Sequence, residues 1–402
     1  MRRILLCIGM ISTLARGESC PIRTTDDVVA CVVSNHPNVL DLNSELLVSE
    51  AEIEKARQRP NPNLSSELLA KNQGDILLGA SYFHTIERGE KLEARLGLAN
   101  TGLEVSRSKI RNEMEQVAIE TLSRLFAIAQ IDESCELIHE ILSIYDSGLA
   151  KYNKQQYPSP ELEVERDILK VAREEMLSRE SINNSAKLEH ISWLKLALGQ
   201  DLPKDEKVWV PGSGFWKKSN EAQVNPSSQS IINESYAKEA ASRIALEEAS
   251  AYSDIGVGPS VEIEIDDNEW KAGIGIGISI DLPVIHRNEG AILVARKQAE
   301  AAQMKFQRQR DFEQANLTLL QEKYTNAVTR LEELEKNNQS KRLHKIIDQR
   351  SNSGLFRPQT IIEAHRQMVE SLERKQEIEL IALSAKWKIA VINGNLIPVR
   401  KR

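Results

Sequence analysis

Aromatic residues make up only 4% of this 402-residue chain, too few for the aromatic-rich core of a large globular domain. Beyond the first twenty residues no apolar run reaches the ~18 residues that a membrane-spanning helix needs. The four cysteines include no Cys-x-x-Cys pair and the seven histidines do not cluster, so no transition-metal site is expected. His139-Glu140 begins like the helix of a zinc protease, but Ser143 stands where the second histidine belongs, and no second ligand follows. Gly273, Gly275 and Gly277 lack the spacing of a dinucleotide-binding loop. A formal charge of -7 makes the chain a poor partner for nucleic acid. No catalytic, cofactor-binding or metal-binding residue is therefore expected.

What is present begins with the N-terminus. MRRILLCIGMISTLARGES places Arg2 and Arg3 before a short apolar run and ends in small residues, the layout of a cleaved secretory signal over residues 1–19. Its removal takes away three arginines and one glutamate and moves the formal charge from -7 to -9. Export is compatible with a Cys20–Cys31 disulfide, with reduced thiols, or with lipidation of Cys20. Gly17-Glu18-Ser19 lacks the apolar residue that a lipoprotein signal normally carries three places upstream.

The chain then repeats itself at long range. Glu163-Val164-Glu165-Arg166 follows Pro158, and Glu363-Ala364-His365-Arg366 follows Pro358, an offset of two hundred residues. Ser147-Gly148-Leu149 is echoed by Ser353-Gly354-Leu355, and Asn61-Pro62 by Gly258-Pro259. A period this long indicates duplication of a whole structural unit. Each half orders a shorter helix, a strand hairpin, a very long helix, a turn and a medium helix. The first repeat is assigned to 20–203, with strands about 63–86, a tip turn about 147–160 and helices about 38–59, 88–152 and 158–199. The second is assigned to 229–402, with strands about 260–282, a tip turn about 351–358 and helices about 227–253, 289–350 and 359–393. A Pro-, Gly- and Ser-rich connector, 204–228, lies between them. The two shorter helices of each half together match its long helix, roughly 90 Å at 1.5 Å per residue. Such helices need lateral neighbours, and Ala295, Ala299, Ala302, Phe312, Ala315 and Leu319 continue an apolar stripe at three- and four-residue steps.

The hairpins decide what the helices serve. In AGIGIGISIDLPVIHRNEG, residues 272–290, Ile274, Ile276, Ile278, Ile280 and Leu282 point one way while Gly273, Gly275, Gly277, Ser279 and Asp281 point the other. Val261, Ile263 and Ile265 alternate in the same manner with Glu262, Glu264 and Asp266. Each strand is about nine to eleven residues, the length of a tilted strand crossing a bilayer. Four strands are too few to close, so only an oligomer removes the edges. A soluble periplasmic coiled-coil adaptor or scaffold is the alternative reading. An adaptor is expected to carry one hairpin flanked by small β domains, whereas here the unit occurs twice. A hydrolase in the connector is a third, but under thirty residues is too short for one.

Asp281-Leu282-Pro283-Val284-Ile285-His286-Arg287-Asn288-Glu289-Gly290 resembles the strand exit of the TolC-like outer membrane factors, with Leu282, Pro283, Arg287, Asn288 and Gly290 carrying the motif. Asn61-Pro62, Gly89-Glu90-Lys91 with Arg95, and Tyr145-Asp146-Ser147-Gly148 support it, and within the family the chain is most similar to the outer membrane subunits of cobalt-zinc-cadmium type tripartite efflux systems. The resemblance spans about residues 24–398. It departs at Arg88-Gly89-Glu90-Lys91, where the family has Gly-Gly-Lys-Arg, at Ser351, where the second turn would have tyrosine, and in six extra residues at the first turn.

The resemblance implies a mainly α-helical protein with a membrane β-barrel: a homotrimer with a twelve-stranded barrel in the outer membrane of a Gram-negative bacterium and a long α-helical barrel in the periplasm. It implies a passive conduit rather than an enzyme, with no cofactor, served by a periplasmic adaptor and an inner-membrane RND-type pump, and with metal ions as the cargo of that subfamily. Ile274, Ile276, Ile278 and Ile280 would face outer membrane lipid, and the glycines would leave room for water in the pore. Adaptor docking is expected at the helix turns, at Tyr145, Gly148, Ser353, Gly354 and Leu355. Asp146 and Asp348 are the candidates for an acidic constriction at the periplasmic mouth.

Overall fold

The structure, a computed structural model, describes residues 22, 24–70, 76–154, 159–201, 216, 226–266, 269–337, 342–343, 345–347 and 357–394. The chain runs α1 (Thr25–Asn35), α2 (Pro37–Arg57), β1 (Asn63–Ala70), β2 (Ile76–Ile86), α3 (Lys91–Tyr152), α4 (Pro160–Leu198), α5 (Ser228–Ser250), β3 (Ile255–Asp266), β4 (Glu269–Ile280), α6 (Glu289–Asn337) and α7 (Pro358–Ile392). The duplication is realised element by element: α2-β1-β2-α3-α4 is followed by α5-β3-β4-α6-α7. Helix α1 has no counterpart among the described residues of the second half. Among the described residues no helix is long and apolar enough to cross a membrane.

The helix ends are written in local chemistry. Thr24 caps α1 reciprocally: its hydroxyl accepts from the Asp27 N–H while the Asp27 carboxylate accepts from the Thr24 N–H. Ser159 caps α4 ahead of Pro160, and Gly199 ends that helix in the left-handed region at φ 68°. Ser227 caps α5 by accepting from the Ser230 N–H at 3.0 Å.

Residues divide into two compact units, one of 1–40, 113–225 and 314–402, the other of 41–112 and 226–313. The first holds three apolar clusters. Val28, Cys31 and Val32 of α1 pack with Leu125 and Ile128 of α3 and Leu194 of α4. Leu320, Tyr324 and Val328 of α6 pack with Ala382, Ala385 and Ile389 of α7. Ile141 and Tyr145 of α3 pack with Leu169, Ala172 and Met176 of α4 and Val369 of α7. In α6 the buried stripe after residue 316 is Leu317, Leu320, Tyr324, Ala327, Val328 and Leu331, whereas Phe312 and Leu319 stand exposed. The expected stripe holds at Ala295, while Phe312, Ala315 and Leu319 lie on another face, because the ten-residue step from Ala302 to Phe312 turns roughly 80° around a helix of 3.6 residues per turn. Cys31 is disulfide-bonded, and Cys135 is free.

The second unit holds the sheet and the helix segments that enter and leave it. All four strands form one antiparallel sheet in the order β1-β2-β3-β4, so the two repeats meet where β2 pairs with β3. In the helix segments of this unit, hydroxyl groups mark close approaches: Ser49 to Ser106 at 2.8 Å and Ser108 to Ser235 at 3.1 Å. The Glu313 carboxylate of α6 accepts from Ser227 and Ser230 at the start of α5, at 2.5 and 2.8 Å.

Candidate functional site

The sheet register sorts every strand residue onto one of two faces. Ile274, Ile276, Ile278 and Ile280 lie opposite Val261, Pro259, Val257 and Ile255. Val261, Ile263 and Ile265 lie in turn opposite Ala80, Leu78 and Ile76, and Leu64 and Leu68 opposite Tyr82 and Leu78. One face is thus apolar across all four strands and exposed: Ile274, Ile276 and Ile278 are 87%, 79% and 72% accessible. The other face runs in small and acidic rows, Ser65-Ser81-Ser260-Gly275 and Glu67-Gly79-Glu262-Gly273. In water an apolar face of this extent needs cover, and β1 and β4 each have an unpaired edge.

The three glycines of β4 do different work. A Cβ on Gly273 would meet nothing within 4 Å, and one on Gly275 would meet the Ser260 hydroxyl at 3.1 Å. On Gly277 it would come within 2.9 Å of the Phe83 ring, which also crosses Gly256 with its Cβ at 3.3 Å. Open space therefore explains Gly273, while Gly277 is a seat for an aromatic ring. Phe83 is absent from the sequence reading, although its parity is the available signal: it is out of phase with Tyr82 and in phase with the small residues. At Gly258 the neighbour is backbone, since a Cβ there would lie 1.7 Å from the Tyr82 carbonyl oxygen. Strand β3 begins at Ile255, five residues before the expected start, and passes through Pro259. The β2–β3 ladder skips 82–83 against 258–259, where proline has no N–H to donate.

At both strand exits a non-glycine residue takes the left-handed region, Glu90 at φ 62° and Asn288 at φ 63°. Gly89 precedes the first at φ 68°, pressed so closely on Tyr252 that a Cβ would lie 2.4 Å from its ring. Asp254 accepts there from the Arg88 N–H at 3.2 Å and from Lys91 at 2.7 Å. Arg95 joins Glu87, just past the end of β2, to the Ala56 and Gln58 carbonyls at the end of α2, and the Glu87 hydrogen bond raises its pKa further. At the second exit the Asn288 amide donates to the Glu247 carbonyl and carboxylate, both at 2.9 Å. The Arg287 N–H donates to Glu289 at 2.8 Å. Gly290 has open space around it.

The first long helix, α3, ends at Tyr152, where the sequence places its end. Tyr145 and Gly148 therefore sit inside it, and the turn begins at Asn153. Tyr145 is 1% exposed, its ring 5.3 Å from that of His365, and burial pushes its hydroxyl pKa up. It is a core residue of the helix bundle rather than a surface one. A Cβ on Gly148 would lie 3.0 Å from a Leu169 methyl, so glycine here lets α4 come close. Asp146 is ion-paired with Arg173 of α4 at 2.6 Å and half exposed. Ser353, Gly354, Leu355 and Asp348 lie outside the described residues, as does the signal segment.

Deeper in the same unit, Gln130 of α3 donates to Glu379 of α7 at 3.0 Å, and Lys375 reaches Glu133 at 2.8 Å. Burial raises the Glu379 pKa, so the folded protein binds that proton more tightly than the unfolded chain. This contribution to stability is complete below the unfolded value and is lost as pH rises through the raised one. Glu379→Gln is accordingly expected to raise the melting temperature near pH 7.5, with the difference from wild type closing as pH falls through the mildly acidic range. A constant difference at all pH values would assign the effect to packing.

This geometry defines the class of fold. Among solved structures, the Campylobacter jejuni CmeC outer membrane channel superposes with a TM-score of 0.72 at 11% identity, over 94% of this chain and 87% of that one. The open-state Neisseria gonorrhoeae MtrE outer membrane channel gives 0.69 at 11% identity, over 92% and 89%. The outer membrane protein VceC of Vibrio cholerae gives 0.67 at 12% identity, over 92% and 96%. The chain has the fold of these outer membrane channels along nearly its whole length. No protein-family profile and no curated protein matches its sequence.

Proposed function

We propose that this chain is the outer membrane subunit of a tripartite efflux or secretion system, a passive trimeric conduit that opens at the cell surface and reaches into the periplasm. The observation that carries this reading is the four-stranded sheet with one continuous exposed apolar face and two unpaired edges, in a fold shared with outer membrane channels. Three copies joined edge to edge close twelve strands and satisfy every backbone group in lipid. The isoleucine face then meets the acyl chains and the serine, glycine and glutamate rows line a polar lumen. The helices hand the cargo up from a periplasmic adaptor and an inner-membrane pump of the RND type, which meet the channel at its helix turns, beyond Tyr152 in the first repeat and around Ser353–Leu355 in the second. Asp348 carries most of the negative charge that favours cations at that mouth, since the Arg173 ion pair offsets that of Asp146.

The purified oligomer in a planar bilayer is expected to show stepwise conductance, selective for cations. Asp146→Asn combined with Asp348→Asn is expected to weaken block by divalent or trivalent cations added on the turn side. Absence of discrete conductance from correctly assembled oligomer would overturn the conduit reading.

A further inference from the structure

The stretch between β4 and α6 is apolar and exposed. Leu282, Val284 and Ile285 are 70%, 82% and 92% accessible, values that a soluble surface seldom presents in sequence. The exposure is built in. The Val284 N–H turns back to the Leu282 carbonyl at 2.9 Å, and four residues on the backbone is pinned by Asn288 to Glu247 and by the Arg287 N–H to Glu289. Pro283 fixes its own φ. These contacts hold the backbone on both sides of Ile285. It also continues the apolar face of the sheet, since Leu282 follows Ile276, Ile278 and Ile280 at the same two-residue step. Directly after it stand two basic side chains, His286 and Arg287, both exposed.

We infer that this segment is a lipid anchor at the rim of the barrel. Val284 and Ile285 seat among the upper acyl carbons of the periplasmic leaflet, and Arg287 pairs with the phosphate of an anionic phospholipid. The inference rests on the membrane reading given above and adds its partner at one defined place. Aliphatic groups beside a cation are what an interface of acyl chains and phosphates recognises. Arginine suits the phosphate because its planar fork donates two parallel hydrogen bonds. Sheet residues need only hydrocarbon, whereas this segment needs both layers at once.

The test uses the full-length oligomer in vesicles of phosphatidylethanolamine and phosphatidylglycerol, with Cys135→Ser removing the free thiol. Spin labels are placed at Ile285→Cys, at Ile276→Cys within the sheet, and at Gln303→Cys on exposed α6. The label at 285 is expected to collide several-fold more often with oxygen than with a water-soluble nickel complex, as at 276 and opposite to 303. Val284→Cys serves as a second site if Ile285→Cys does not assemble. Arg287→Gln is expected to lower the phosphatidylglycerol retained per purified oligomer several-fold, with phosphatidylethanolamine unchanged. A lipid signature at 276 with an aqueous or fully shielded one at both 284 and 285 overturns the anchor and leaves the channel intact. An aqueous signature at 276 itself brings down the membrane reading. Unchanged phosphatidylglycerol in Arg287→Gln removes the phosphate contact.

Discussion

Replacing Ile276 with arginine is expected to abolish the assembled form of this protein in the membrane. Ile276 lies mid-strand in β4, opposite Pro259 and 79% accessible on the apolar face. A cation on that face near the bilayer midplane costs about 2–4 kcal/mol, and threefold symmetry applies the cost three times to a single closure event. A serine at Gly273 changes the opposite face with no neighbour within 4 Å and is expected to assemble normally. Heat-resistant oligomer in the membrane fraction measures both. Equal tolerance of the two changes would contradict the assignment of faces.

Gly258→Val is expected to be as damaging by a different route. The added Cβ would fall 1.7 Å from the Tyr82 carbonyl oxygen, a backbone atom that moves only if the β2–β3 ladder moves. That ladder joins the two repeats into one sheet, so its loss leaves two separate hairpins, a form seldom stable alone. The Gly258→Val chain should accumulate as degraded or aggregated protein with no oligomer. Gly277→Ala should show an intermediate defect, since Phe83 can rotate away from its 2.9 Å contact. If Gly258→Val yields wild-type amounts of oligomer, β2 and β3 do not approach as described.

Much of this architecture is legible in the sequence because its strongest signals are periodic and punctuated. Strict alternation from Ala272 to Ile280 fixes a strand and its two faces, and the prolines at 158 and 358 announce the helices that begin at Pro160 and Pro358. Helix α1 escapes that reading because it is short and Val28 to Val33 is rich in β-branched residues, although the Thr24–Asp27 capping box announces it. The early start of β3 escapes it because Pro259 reads as a strand opener, and only the gap in the β2–β3 ladder explains how the proline is accommodated. Tyr145 reads as a surface residue from its place beside Gly148. Its burial depends on His365 arriving from about 220 residues along the chain, which local pattern does not encode.

The most direct test of the account is the mass and location of the mature protein extracted gently from cells. Outer membrane vesicles separated by density, dissolved in mild detergent and measured by light scattering with the detergent contribution subtracted, are predicted to yield a particle containing three copies of the chain. Recovery as a soluble periplasmic monomer, or as a membrane particle with a copy number that cannot close twelve strands, would contradict it.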